Sequence, residues 1–75
     1  MSLVREDPPP PRNKWARISN DLRALEDRAE WHRVETFDYY DSARYAARAL
    51  RRAGCDACHR QIRENQWGVW ARWAE

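Results

Sequence analysis

Long apolar runs are missing from this sequence. No stretch of its 75 residues approaches the ~20 consecutive apolar positions of a membrane-spanning helix. No charged-then-apolar leader opens it either. The expected compartment is therefore the cytoplasm, and a membrane is not an expected partner. Cysteine is scarce: Cys55 and Cys58 are the two present, and in a reducing compartment they are expected as thiols rather than a disulfide. Lysine is scarcer still, with Lys14 the sole representative among fourteen basic residues, a balance that GC-rich codon usage also produces. Nor is there a recognisable catalytic constellation. His32 and His59 have no serine or cysteine at a nucleophile's local spacing, and Glu26, Asp27, Glu30 and Glu35 fall among arginines and read as surface ion pairs. The expectation is no enzyme and no cofactor.

Aliphatic residues are also few. Ile18, Leu22, Leu25, Val34, Leu50, Ile62 and Val69, with Phe37, are the core candidates. A chain this short lies near the lower limit for a self-sufficient core. Five tryptophans, Trp15, Trp31, Trp67, Trp70 and Trp73, make up the deficit, since each aromatic side chain buries on the order of 150–250 Å². A homodimer is a second way to complete so small a core. Three tryptophans crowd the C-terminal end, where an exposed ring would serve binding.

Residues 1–13, MSLVREDPPPPRN, read as a disordered proline-rich tail, with Pro8 to Pro11 in polyproline II. The segment is either an extended lead-in or a ligand for an aromatic-lined groove. Residues 14–75 read as one small domain. Trp15, Ile18, Leu22, Leu25 and Ala29 recur at three and four, which predicts an amphipathic helix from Lys14 to about Arg28. Its other face mixes Arg17, Asp21, Arg23, Glu26 and Asp27 and reads as solvated scaffold. Glu30 to Phe37 has strand composition, although Trp31, Val34 and Phe37 are spaced by three, so a short strand, regular or bulged, is favoured over continued helix, which stays open. Cys58 to Arg63 and Val69 to Trp73 alternate around Glu64-Asn65-Gln66, which predicts a hairpin. In the last strand Trp67 and Trp73 share one face and Trp70 takes the other.

Between the single strand and the hairpin lies Asp41 to Gly54, a helix with its own boundary signals. Asp41 or Ser42 is expected to cap its first turn, and Gly54 to end it in a left-handed conformation. Tyr45, Ala46, Ala49, Leu50 and Ala53 fall on one side at 100° per residue, and Arg44, Arg48, Arg51 and Arg52 on the other. The net charge of +2 argues only weakly for a polyanionic partner, but the segregated guanidinium stripe argues for one locally. A planar fork grips phosphate or the O6/N7 edge of guanine. Double-stranded DNA is the expected partner, with Arg44, Arg48 and Arg51 facing the groove and Arg52, Arg60 and Arg63 on phosphates. The stripe read only as a solvated face would leave a protein partner, a host protein for instance, gripped by Trp67, Trp70 and Arg72.

Cys55-Asp56-Ala57-Cys58-His59 matches C-x-x-C-H, the haem-attachment pattern. It precedes a predicted strand instead of lying in a helix, and Met1 is the single methionine. Cys55, Cys58, His59 and His32 supply four zinc-type donors, yet Cys58 and His59 as strand neighbours point to opposite faces. Neither metal is expected.

The order helix, strand, helix, strand, strand implies an α+β fold, two helices on a three-stranded antiparallel sheet. Its second half, a capped helix followed by a hairpin, resembles a winged helix. The chain also resembles small actinobacterial and actinophage proteins of undefined function, through the Trp15 to Leu25 helix, Trp31-x-x-Val34, the Ala43 to Gly54 helix and the aromatic strand Val69 to Trp73. That resemblance implies a small phage or actinobacterial binding protein and no catalytic residue; the function expected with it is regulatory DNA binding. A winged helix has a further helix before the recognition helix, where this chain has only Asp38 to Asp41.

Overall fold

Leu50 is the centre around which the chain folds. It is fully buried in the middle of the second helix, with Ala43, Ala46 and Ala47 beside it at the same zero exposure. The computed structural model describes residues 14–73, and the proline-rich segment 1–13 lies outside them. Two helices, α1 (Lys14–Arg23) and α2 (Tyr40–Arg52), and three strands, β1 (His32–Phe37), β2 (Asp56–Arg63) and β3 (Gln66–Arg72), follow in the order α-β-α-β-β. The strands form one sheet in the order β1-β3-β2, antiparallel at both seams. This is the α+β architecture read from the sequence.

Small residues on the inner face of α2 let its backbone approach the sheet, where Val69, Ala71 and Ala57 meet it. Trp15 and Leu22 of α1 close the core from the other side, and Ile18, Val34, Phe37, Trp67 and Trp73 pack around its rim. Both helices therefore lie on one face of the sheet, and its other face has no layer over it among the described residues.

The exit from α2 is a Schellman motif. The Cys55 N–H donates to the Leu50 carbonyl at 3.2 Å and the Gly54 N–H to the Arg51 carbonyl at 3.0 Å, with Gly54 at φ +111°. The entry differs from expectation. Tyr39 is the N-cap, and no side-chain bond caps the first turn, so neither Asp41 nor Ser42 acts as the cap. Tyr39 is extended at φ −129° and ψ 141°, and the helix starts at Tyr40, whose ring lies 5.0 Å from Trp67 and 5.4 Å from His59. Asp41 instead sits in the first turn, where its charge complements the helix dipole.

The first helix is shorter than its apolar periodicity implies, ending at Arg23 rather than near Arg28. Tertiary bonds take over the following turn. The Trp73 N–H donates to the Arg28 carbonyl at 2.7 Å, and the His32 ring meets the Asp27 carbonyl at 2.9 Å. Leu25, expected in the core, is consequently 40% exposed, and Ala29 is exposed as well. Ser19 enters the core instead, its Oγ donating to the Ala53 carbonyl at 3.4 Å.

Residues 32–37 form a strand, as favoured, and it carries a bulge, a register shift between Arg33 and Glu35. The extra residue explains the spacing by three, because a bulge breaks strict alternation and lets both Val34 and Phe37 pack on the core.

Candidate nucleic-acid interface

The six arginines expected to meet DNA are all exposed, but they do not form one surface. Arg44, Arg48, Arg51 and Arg52 share the outward side of α2, opposite Ala43, Ala46, Ala47 and Leu50. Arg60 pairs with Gly68 across the β2–β3 seam and lines a groove on the far side of the sheet with Trp31, Arg33 and Trp70. Arg63 stands beside the hairpin tip, paired with Gln66. The wing and the helix thus present their guanidiniums in different directions. Which parity of β2 faces the helices is fixed by pairing: Ala57 lies against Ala71 and Cys58 against Trp70.

Arg51 has a structural bond. Its Nε donates to the Ala57 carbonyl at 3.1 Å, tying the last turn of α2 to the start of β2. Arg44, Arg48 and Arg52 have no ion pair among the described residues. The described ion pairs lie elsewhere, Lys14 with Glu35 at 3.6 Å and Arg72 with Asp56 at 3.4 Å among them.

Tyr45 was expected on the apolar side of this helix and is 62% exposed. In angle it stands next to Arg52 rather than next to Leu50, because the buried side centres on Ala43, Ala47 and Leu50. With Arg48, Arg52 and Trp15 it lines a cleft of about 410 Å³ between the two helices. An aromatic hydroxyl beside two unpaired guanidiniums is a phosphate-compatible set, of which the sequence periodicity places Tyr45 alone inward.

The tryptophan-led alternative is divided in the same way. Trp67 is turned toward the helices, edge-on to Tyr40 at 5.0 Å. Trp70 lies on the other face opposite Arg33 and Cys58. The Arg72 guanidinium stacks over Trp31 at 4.5 Å rather than beside Trp70. Trp67, Trp70 and Arg72 therefore do not make one patch.

The four zinc-type donors diverge. Cys55 is buried, with its thiol donating to the Leu50 carbonyl at 3.2 Å. Cys58 lines the outer groove, His59 stacks on Tyr40, and His32 sits at Asp27. Among the described residues no three histidine, cysteine or acidic side chains converge. Burial pushes the Cys55 thiol pKa up, and its hydrogen bond with Ser19 opposes that only in part. Both cysteines are free thiols.

No helix among the described residues is long and apolar enough to cross a membrane. No family model, no curated protein and no solved structure matches this chain, so its surfaces alone carry the functional argument.

Proposed function

We propose that this chain is a small non-enzymatic DNA-binding protein, regulatory in role and cytoplasmic, that lays the outward side of α2 against duplex DNA. The kinship with small actinobacterial and actinophage proteins belongs to the same proposal. The observation that carries it is the state of Arg44, Arg48 and Arg52: exposed, on one helix face, and without an ion pair among the described residues. Unpaired guanidiniums in such an array attract phosphates at little cost, since no existing ion pair must break first. The shape also suits the task. An α-helix about 10–12 Å across enters a major groove ~12 Å wide. Arg51 is committed to the Ala57 carbonyl through Nε, so its role is chiefly to hold the helix end. Arg60 and Arg63 are both removed from this interface, since the hairpin presents them in another direction from α2.

The test is fluorescence anisotropy with a labelled random-sequence duplex, for the wild type and for Arg48→Ala with Arg52→Ala. Each lost phosphate contact reduces the slope of log affinity against log salt by about 0.9. The double variant is therefore expected to bind more weakly, with a slope shallower by about 1.8. Equal affinity and equal slope in the two proteins would remove α2 as the contact surface.

A further inference from the structure

The sheet face turned away from the helices has the wrong composition for a face that only meets water. Outward strand positions on a one-sided antiparallel sheet are ordinarily polar. Here the groove on that face is lined by Trp31, Trp70, Ile62, Cys58, Arg33 and Arg60. Its volume of about 450 Å³ falls within the ~300–1,000 Å³ of clefts that hold small planar ligands. Trp31 is 44% exposed and Ile62 37% exposed, so apolar surface is open to solvent beside the cations.

Two features hold the rings ready. A Cβ at Gly68 would lie 2.7 Å from both Trp70 Cη2 and Ile62 Cδ1. The indole therefore occupies the space that a side chain at position 68 would fill, and the backbone of the central strand supports it from beneath. Trp31 is covered by the Arg72 guanidinium at 4.5 Å, and Asp56 steadies that guanidinium at 3.4 Å. Arg33 faces Trp70 across one seam and Arg60 faces Gly68 across the other, which brackets the Trp70 ring with positive charge. Neither Arg33 nor Arg60 has an ion pair among the described residues.

We propose that this outer sheet face is a second nucleic-acid site, which binds single-stranded DNA or RNA by stacking an unpaired base on Trp70 while Arg33 and Arg60 take the adjoining phosphates. The charge pattern selects the occupant. Arg33, Arg60 and Arg72 stand on this face, and Asp56, the acidic group in contact there, is already engaged by Arg72, so a polyanion is complementary. The flat ring selects the single strand, because bases within a duplex are stacked on one another and offer only their edges. An indole flanked by guanidiniums on a sheet is the platform chemistry that accepts unstacked bases of any sequence. The site is independent of α2, which lies on the opposite face.

The probe is a labelled oligothymidine of about twelve nucleotides, within the ~4–16 nucleotides such platforms cover, titrated at low salt while tryptophan fluorescence is followed. Binding with quenching is expected. Trp70→Ala should weaken it by roughly 5- to 150-fold, whereas Trp70→Phe, which keeps a ring, should restore most of the affinity. Arg33→Ala with Arg60→Ala, at two exposed positions, should weaken binding and flatten its salt dependence without altering the far-UV circular dichroism. Arg48→Ala with Arg52→Ala should leave oligothymidine binding unchanged. Absence of binding at low salt, as expected if the face served a protein partner, overturns the proposal. So does wild-type affinity in both the Trp70→Ala and the Arg33/Arg60 proteins, or equal loss in the Arg48/Arg52 protein. Oligothymidine binding without duplex binding would retain this site and reject the reading of α2.

Discussion

Gly54 and Trp73 offer the sharpest test of how this small core is locked. Gly54 ends α2 at φ +111°, and a Cβ there would stand 2.9 Å from Trp73 Cη2. The indole has little freedom to retreat. Its Nε1–H donates to the Ser19 carbonyl at 2.8 Å, its backbone N–H donates to the Arg28 carbonyl at 2.7 Å, and Arg23 lies over the ring at 5.4 Å. Gly54→Ala therefore has two costs: about 1–2 kcal/mol for the backbone conformation, and about 1–3 kcal/mol for overpacking against a fixed ring. The sum of about 2–5 kcal/mol is a large part of the roughly 3–9 kcal/mol expected for some sixty ordered residues. In a Trp73→Leu background the obstructing ring is gone, and the same substitution should cost only the conformational ~1–2 kcal/mol. The coupling between the two positions should then be about 1–3 kcal/mol. Urea unfolding of the four proteins by far-UV circular dichroism measures it, with an osmolyte in every sample to keep the double variant folded. An equal cost of Gly54→Ala in both backgrounds would show that Trp73 does not brace this turn.

Leu50→Ala removes the largest fully buried side chain among the described residues and should cost about 2–5 kcal/mol, enough to leave much of the protein unfolded at room temperature in a thermal melt. Cys58, half-buried on the outer face, should react with an alkylating reagent in the native protein, while buried Cys55 should react only on unfolding, as mass spectrometry would show; early labelling of both would contradict the packing under α2. The raised pKa of Cys55 also has a sign. The folded state holds this proton more tightly than the unfolded state, so its contribution is present below the ordinary thiol range and is lost as pH rises through it. Urea midpoints of the wild type should accordingly fall with pH more steeply than those of Cys55→Ala.

Much of this architecture is legible in the sequence, for physical reasons that can be named. Gly54 ends an amphipathic run, and only one conformation satisfies the carbonyls of Leu50 and Arg51 at that point. The alternation in Gln66 to Arg72 separates Trp67 from Trp70 because strand side chains strictly alternate. The Val34–Phe37 spacing leaves strand and helix both open, and the bulge between Arg33 and Glu35 accounts for it. What escapes the sequence is set by distant partners. The end of α1 at Arg23 has no glycine or proline to announce it; the bonds from Trp73 and His32 to the carbonyls of Arg28 and Asp27 decide it. β2 has polar residues on both parities, so the side on which Arg60 stands depends on pairing Cys58 with Trp70. Tyr45 shares a side with Ala49 and Ala53, and only the structure shows that the buried side centres on Ala43, Ala47 and Leu50 instead. The four arginines of α2 were legible as a stripe, but the division of labour between Arg51 and the other three was not.

The most direct measurement is amide and arginine side-chain NMR of the full chain during addition of a random-sequence duplex at low salt. Shifts concentrated at Arg44, Tyr45, Arg48 and Arg52, reversed by raising salt from about 50 to about 200 mM, are expected if α2 is the DNA-contacting element. Shifts confined to the outer sheet face, or no shifts at all, would contradict it.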